Sequence, residues 1–351
     1  MVEKAGAGAN TRTDGVLAYF YQFVLRARSQ GLEWQPSQDK EKAVSKVRNP
    51  ASIRMVRLLE RLAPNEGYTQ SALDSVRLMR SDRPLGRTPV LYEPSIVIVC
   101  QGRKLGFLGD GVYVYDAQHY LVLSVPLPFS TETQATPEEP MLAVSIRLDL
   151  IELSELITQI GAAGLHPESH PTGIVSTRLD ADLADATIRL LEALTAPLDA
   201  QVLGPAIVRE ICYRVLTGEQ GSAMRAALAH HGRFGRVARA LKRIHADYAQ
   251  PLNVAGLAEE AGMSVPAFHA NFRTVTQTSP IQYIKSTRLH QARLLMIRDD
   301  VTAAAAAGRV GYESASQFSR EFKRLFGRTP IEEVRDMRES FTLSPAVSFG
   351  I

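Results

Sequence analysis

The sequence predicts an α+β chain, with a β-rich amino-terminal half and an all-α carboxy-terminal domain holding two helix-turn-helix units. Three observations carry this. Between Pro89 and Leu148, short runs such as SIVIVCQG, VYVYDAQ, HYLVLSVPL and MLAVSIRLD alternate with Gly, Asp, Pro and Glu, the texture of an antiparallel sandwich or small barrel. Between Gly262 and Pro330 a pattern of phenylalanines occurs twice at a fixed offset. Charge divides along the same line: residues 1–232 hold 23 Lys and Arg against 26 Asp and Glu, whereas residues 233–328 hold 15 against 7. A basic segment on a mildly acidic body is the asymmetry expected when one part faces a polyanion, nucleic acid above all.

Taken in order, residues 1–60 form an amino-terminal extension with helical periodicity near Leu17–Ser29 and Ile53–Leu62. Residues 61–165 are assigned to the barrel. Residues 166–232 form a helical linker, with apolar stripes in Ile188, Leu191 and Leu194 and in Val208, Ile211, Cys212 and Val215 that pack on the barrel or pair between subunits. Residues 233–340 form the double helix-turn-helix domain, and 341–351 a tail. No run is apolar enough to span a bilayer, and the start, MVEKAGAGANTRTDG, lacks the apolar segment of a secretory signal, so the expected compartment is the cytoplasm. Cys100 and Cys212 stand far apart in apolar surroundings and read as buried thiols.

The repeat has one register. Phe268 and Phe318, Phe272 and Phe322, Pro280 and Pro330, and the candidate caps Ser264 and Ser314 are each separated by 50 residues. Phenylalanines four apart share one side of a helix and turn the residues between them outward. Each copy follows an alanine-rich helix, VAGLAEEA or VTAAAAAGR, and a glycine-containing turn at Gly262 or Gly311, which is the helix-turn-helix pattern. The second helix should run from about Ala315 to Phe326, and Ile281–Arg298 reads as a helix connecting the two units.

The second copy, GYESASQFSREFKRLFGRTP, with LAEEAGMS and SPIQYIKSTRLHQA in the first, resembles the AraC/XylS family of bacterial transcription regulators over about Phe234–Arg338. The stretches PVLYEPSIVIVCQGRK and YDAQHYLVLSVPLPF resemble the cupin-like amino-terminal domain of one branch of that family, which implies a barrel that senses an effector or forms dimers. The resemblance implies double-stranded DNA as partner, a homodimer through the linker region and, as is common in the family, activation by touching RNA polymerase. It also implies base-reading positions: Pro266, His269 and Ala270 on the first recognition helix, and Ser316, Gln317 and Arg320 on the second. Ala270 stands where arginine is frequent, so the first helix is expected to rely on His269 with Asn271. Arg320 suits guanine O6 and N7, and Gln317 suits adenine. The alternative for Arg320 is an ion pair with Glu313 or another carboxylate. Arg273, Lys323 and Arg324 lie toward the far ends of their helices and are expected to meet phosphate.

For a small-molecule effector the candidate lining is Tyr92, Lys104, Tyr113, Tyr115 and Tyr120. No cofactor or metal is expected: His119 is alone on its strand, and the prolines of LHPESHP keep His166, Glu168 and His170 off one helical face. No nucleophile and base can be paired, so the expectation is not an enzyme. The competing readings are a cupin-type metalloenzyme with an accessory DNA-binding domain and a non-specific architectural DNA-binding protein.

Overall fold

The strand Ser95–Gln101 is buried along its whole length, which is why SIVIVC reads as an unbroken apolar run rather than an alternation. Its side chains divide by parity. Ile96, Ile98 and Cys100 enter one core, and Val97 and Val99 enter another. In the computed structural model, which describes residues 50–161, 173–219, 221, 224–225 and 233–340, this strand is the pivot of the β region.

The first helix is α1 (Pro50–Leu62), followed by β1 (Gly67–Gln70), β2 (Val76–Ser81), β3 (Leu85–Tyr92), β4 (Ser95–Gln101), β5 (Arg103–Leu108), β6 (Gly111–Asp116), β7 (His119–Leu123), β8 (Leu127–Gln134) and β9 (Met141–Arg147). After α2 (Leu150–Ile160) comes β10 (Ile174–Arg178). Six strands form one antiparallel sheet in the order β1-β2-β9-β4-β7-β10, and β3-β8-β5-β6 form a second. The β region thus begins at Gly67, inside the expected barrel 61–165, and takes its last strand from the stretch expected to be purely helical. That strand was masked because IVSTR is only five residues long, too short for an alternation to declare itself.

Helices α3 (Ala181–Ala193) and α4 (Pro197–Thr217) cover the outer face of the six-stranded sheet together with α1 and α2. Asp180 caps α3 by accepting from the Leu183 N–H at 2.7 Å, and Asp149 caps α2 by accepting from Ile151 and Glu152. Ile188, Leu191, Leu194, Val208, Ile211, Cys212 and Val215 are buried in this outer core, so both linker stripes are spent on packing within the chain. The buried thiols carry no disulfide, and burial pushes each up to about 12.

The carboxy-terminal helices are α5 (Arg233–Asp247), α6 (Val254–Glu260), α7 (Val265–Thr276), α8 (Pro280–Arg298), α9 (Ala303–Arg309), α10 (Ala315–Phe326) and α11 (Pro330–Ser340). The inner core of the barrel, with Val97, Leu121, Leu123, Leu127 and Phe129, continues without interruption into Phe234, Val237, Leu241, Phe268, Phe272 and Tyr283 of α5, α7 and α8. A separate core of Leu289, Ala292, Met296, Ala306, Val310, Phe318, Phe322 and Phe326 serves the last units. Helix α8 contributes to both cores. That is why it shows apolar residues all round rather than one stripe.

The expected helical segment Leu17–Ser29, the histidines and glutamate of LHPESHP and the tail 341–351 lie outside the described residues. No described helix is long and apolar enough to cross a membrane.

Candidate nucleic-acid interface

Each unit is assembled by the same local chemistry, with one difference at the cap. Thr302 caps α9 by accepting from Ala305, and the chain then turns through Gly311, whose φ of 81° belongs to the left-handed region. A Cβ at Gly311 would stand 2.4 Å from the Ala249 carbonyl oxygen, so only glycine fits. Ser314 accepts from the Gln317 N–H at 3.2 Å and starts α10, and Gly327 ends it at φ 80°. In the first unit Asn253 caps α6 and Gly262 makes the turn, but Ser264 makes no side-chain cap bond and Pro266 in the first turn pre-sets the helix instead.

Phenylalanine burial fixes which face of each recognition helix looks outward. Phe318, Phe322 and Phe326 are buried with neighbouring ring centroids 5.5 and 4.4 Å apart, and Phe268 and Phe272 are buried at 5.4 Å. Each such ring contributes roughly 2–3 kcal/mol by burial, enough to hold a short helix in one rotation. The exposed residues of α10 include Ser316, Gln317, Arg320, Lys323 and Arg324, and those of α7 include Pro266, His269, Ala270 and Arg273. Among the described residues no hydrogen bond or ion pair engages the side chains of His269, Arg273, Arg320, Lys323 or Arg324, and Arg320 is not paired with Glu313. Gln317 donates its side-chain N–H to Glu321 at 3.2 Å, leaving its carbonyl oxygen outward. Asn271 is half-buried and donates to the Ala267 carbonyl at 2.7 Å, so its amide is turned back on its own helix.

Polar staples on α8 hold the two units to each other. The Arg288 guanidinium donates to three carbonyls, those of Tyr248 at 2.7 Å, Gln250 at 2.9 Å and Gly311 at 3.1 Å. One side chain therefore ties the loop after α5 to the turn of the second unit. Lys285 pairs with Glu321 of α10 at 2.7 Å, and the buried Arg293 pairs with Glu333 of α11 at 3.2 Å while stacking 4.7 Å from the Phe326 ring. Lys285, Arg288 and Arg293 do not belong to the phenylalanine pattern, and a lone Arg or Lys on a helix carries no sequence signal for the carbonyls or carboxylates it will meet.

The barrel grips the connecting helix α8. Tyr283 donates to the Pro126 carbonyl at 2.6 Å, and Arg293 donates to the Pro89 carbonyl at 3.2 Å. Because Pro126 can only accept, the Tyr283 proton goes there, and His245 at 2.7 Å must supply its Nε2–H to the phenol oxygen. Burial pushes the His245 imidazole down to about 4, which keeps it neutral in that role.

Of the barrel residues, Lys104, Tyr115 and Thr133 are directly opposed on the neighbouring strands β5, β6 and β8, with the Lys104 ammonium 3.0 Å from the Thr133 hydroxyl. Burial lowers Lys104 to about 8. Tyr92 stacks edge-on to Phe129 at 5.1 Å on the same inner side, and Tyr113 packs against that core. Tyr120 is the exception to the expected lining. Its neighbours Leu121 and Leu123 face the inner core, whereas Tyr120 and Val122 face the outer core under the helices, as alternation on β7 requires. His119 bonds to Asp116 at 2.9 Å, and no group of three His, Cys, Asp or Glu able to hold a metal occurs among the described residues.

Comparison with known proteins finds two families along the chain. Residues 72–223 match the family described as AraC-type transcriptional regulator N-terminus, and residues 257–336 match the helix-turn-helix domain family. Over 91 residues the chain is 34% identical to the HTH-type transcriptional regulator AlkR of Acinetobacter baylyi, covering 26% of this chain and 30% of that protein, so it spans about a third of that relative's length. It is 25% identical over 181 residues to the thermoregulatory protein LcrF of Yersinia pestis, covering 52% of this chain and 65% of that one. The crystal structure of unsaturated fatty acid bound ToxT from Vibrio cholerae shares the fold at 11% identity and TM-score 0.51, over 77% of this chain and 97% of that one. With a match to the AraC-type transcriptional regulator N-terminus followed in the same chain by a match to a helix-turn-helix domain, the protein has the two-domain make-up of an AraC-type transcriptional regulator.

Proposed function

We propose that the protein is a sequence-specific DNA-binding transcriptional regulator acting in the cytoplasm, whose two recognition helices enter neighbouring major-groove segments. The observation that carries this is the pairing of buried phenylalanine seams with outward faces on which the side chains of His269, Arg273, Arg320, Lys323 and Arg324 make no hydrogen bond or ion pair among the described residues. Exposed cations held on a fixed helix face suit phosphate and base edges. Under this reading Pro266, His269, Ser316, Gln317 and Arg320 read bases, and Arg273, Lys323 and Arg324 meet phosphate. Asn271 contributes little, because its amide already serves Ala267.

The barrel is assigned to effector sensing. ToxT was crystallised with an unsaturated fatty acid, and here the buried Lys104, beside Tyr115 and Thr133, is the group suited to the acid end of a small ligand. Dimer formation is assigned to α4, which leaves Leu198 71%, Val202 66% and Leu203 51% exposed after its inner face is filled. RNA polymerase is the proposed protein partner.

Selection of bound sites from a randomised duplex pool at physiological salt tests the reading. A motif built of two half-sites about one helical turn apart, roughly 34 Å, is expected. Salt-dependent binding without enrichment would replace it by an architectural role.

A further inference from the structure

Glu321 sits between Arg320 and Phe322 on α10 with its side chain 12% exposed. Its carboxylate collects donors from three places: Lys285 of α8 at 2.7 Å, the Tyr312 hydroxyl of the turn at 2.8 Å, and the Gln317 amide one helical turn earlier at 3.2 Å. Burial works against the charge, but these hydrogen bonds outweigh it and hold the carboxyl below its ordinary value. Glu321 is thus an anion at neutral pH, and an anion only accepts.

That settles which way the Gln317 amide faces. Its Nε2 must turn to Glu321 and its Oε1 away, because two oxygens would repel. One N–H remains beside the outward carbonyl oxygen, and this donor and acceptor together complement N7 and the N6 amino group of adenine. An untethered glutamine can flip its amide and offer the two groups in the opposite order. Held by Glu321, it meets the groove already oriented, and the ordering cost is met before binding.

The first unit lacks the device. Fifty residues upstream, Asn271 replaces Glu321 and Ala267 replaces Gln317, and Asn271 bonds to the Ala267 backbone. The geometry points to Glu321 as a positioning residue for sequence readout, one that orients Gln317 for adenine in the second half-site. This rests on the proposed base-reading role of Gln317.

The test is site selection and competition binding with the full-length protein as wild type, Gln317→Ala, Glu321→Ala and the double variant, each checked for folding by circular dichroism. Gln317→Ala is expected to lose an adenine preference of roughly tenfold at one position, and Glu321→Ala to lose most of that preference at the same position. In the Gln317→Ala background, Glu321→Ala should change discrimination there no further. If Glu321→Ala instead weakens all sequences alike, or still alters that position without Gln317, the inference fails while the wild-type motif keeps the regulator reading intact. A wild-type pool with no motif removes both. Should Glu321→Ala fail to fold, Glu321→Gln takes its place: it keeps acceptors for Lys285 and Tyr312 but can offer Gln317 an amide N–H. A partial loss confined to the same base pair is expected, and wild-type discrimination would overturn the inference.

Discussion

Tyr283 of α8 gives its phenol proton to the Pro126 carbonyl in the loop between β7 and β8, 157 residues away in sequence. The helix that carries the second half of the DNA-binding domain is therefore bonded to the barrel, and the His245 N–H completes the chain from α5. Tyr283→Phe removes both bonds while keeping the ring that packs edge-on to Phe272 at 5.4 Å. It leaves a half-buried carbonyl and a half-buried imidazole N–H unmatched, so urea unfolding should show a loss of about 1–3 kcal/mol.

Acidification should weaken the same joint. The His245 pKa is depressed in the folded chain to about 4, against roughly 6.5 when unfolded, so between those values the unfolded state binds more protons. Its stabilising contribution is complete above about pH 6.5 and is lost as pH falls toward 4. Burial, helped by Arg293, lowers His290 as well, and that group acts in the same direction. From pH 7.5 to 5 the His245 share is on the order of 2 kcal/mol, measured as the difference between wild type and His245→Gln in denaturant melts at each pH.

Arg320 and Lys323 should fail in different ways. Arg320→Ala is expected to lose about 1–3 kcal/mol of discrimination at one base pair, whereas Lys323→Ala should weaken all sequences alike and lower the slope of log K against log salt by about 1. Titrations of specific and scrambled duplexes at several salt concentrations separate the two.

The two left-handed glycines of the second unit make a matched pair. At Gly311 an added Cβ meets the Ala249 carbonyl oxygen at 2.4 Å, and at Gly327 it meets nothing within 4 Å, although φ is 81° and 80° respectively. Gly311→Ala should cost more than about 2 kcal/mol in thermal unfolding, and Gly327→Asn less than about 1 kcal/mol.

Much of the carboxy-terminal domain was legible because Phe268, Phe272, Phe318, Phe322 and Phe326 report their own burial through spacing, and Ser314 and Gly327 mark the ends of α10 in chemistry that is local. The β region was legible where strands are long or buried on both faces, as in β4, and obscure in β1 and β10, which have four and five residues. Tyr120 was misjudged because face depends on strand parity, and parity is known only once register is. Arg288, Glu321 and Tyr283 were invisible as connectors for a different reason. The partners they connect to are carbonyls or side chains on other elements, which the local pattern does not encode; only the Gln317–Glu321 contact, four residues apart on one helix, is local.

The Arg288 staple has a consequence for any duplex both units read. Three hydrogen bonds from one guanidinium leave the second reader little freedom to swivel about the first. Phase is then a property of the protein, and the DNA must match it: one inserted base pair between the half-sites turns the second by about 35° and advances it by about 3.4 Å, out of the reach of a helix that cannot follow.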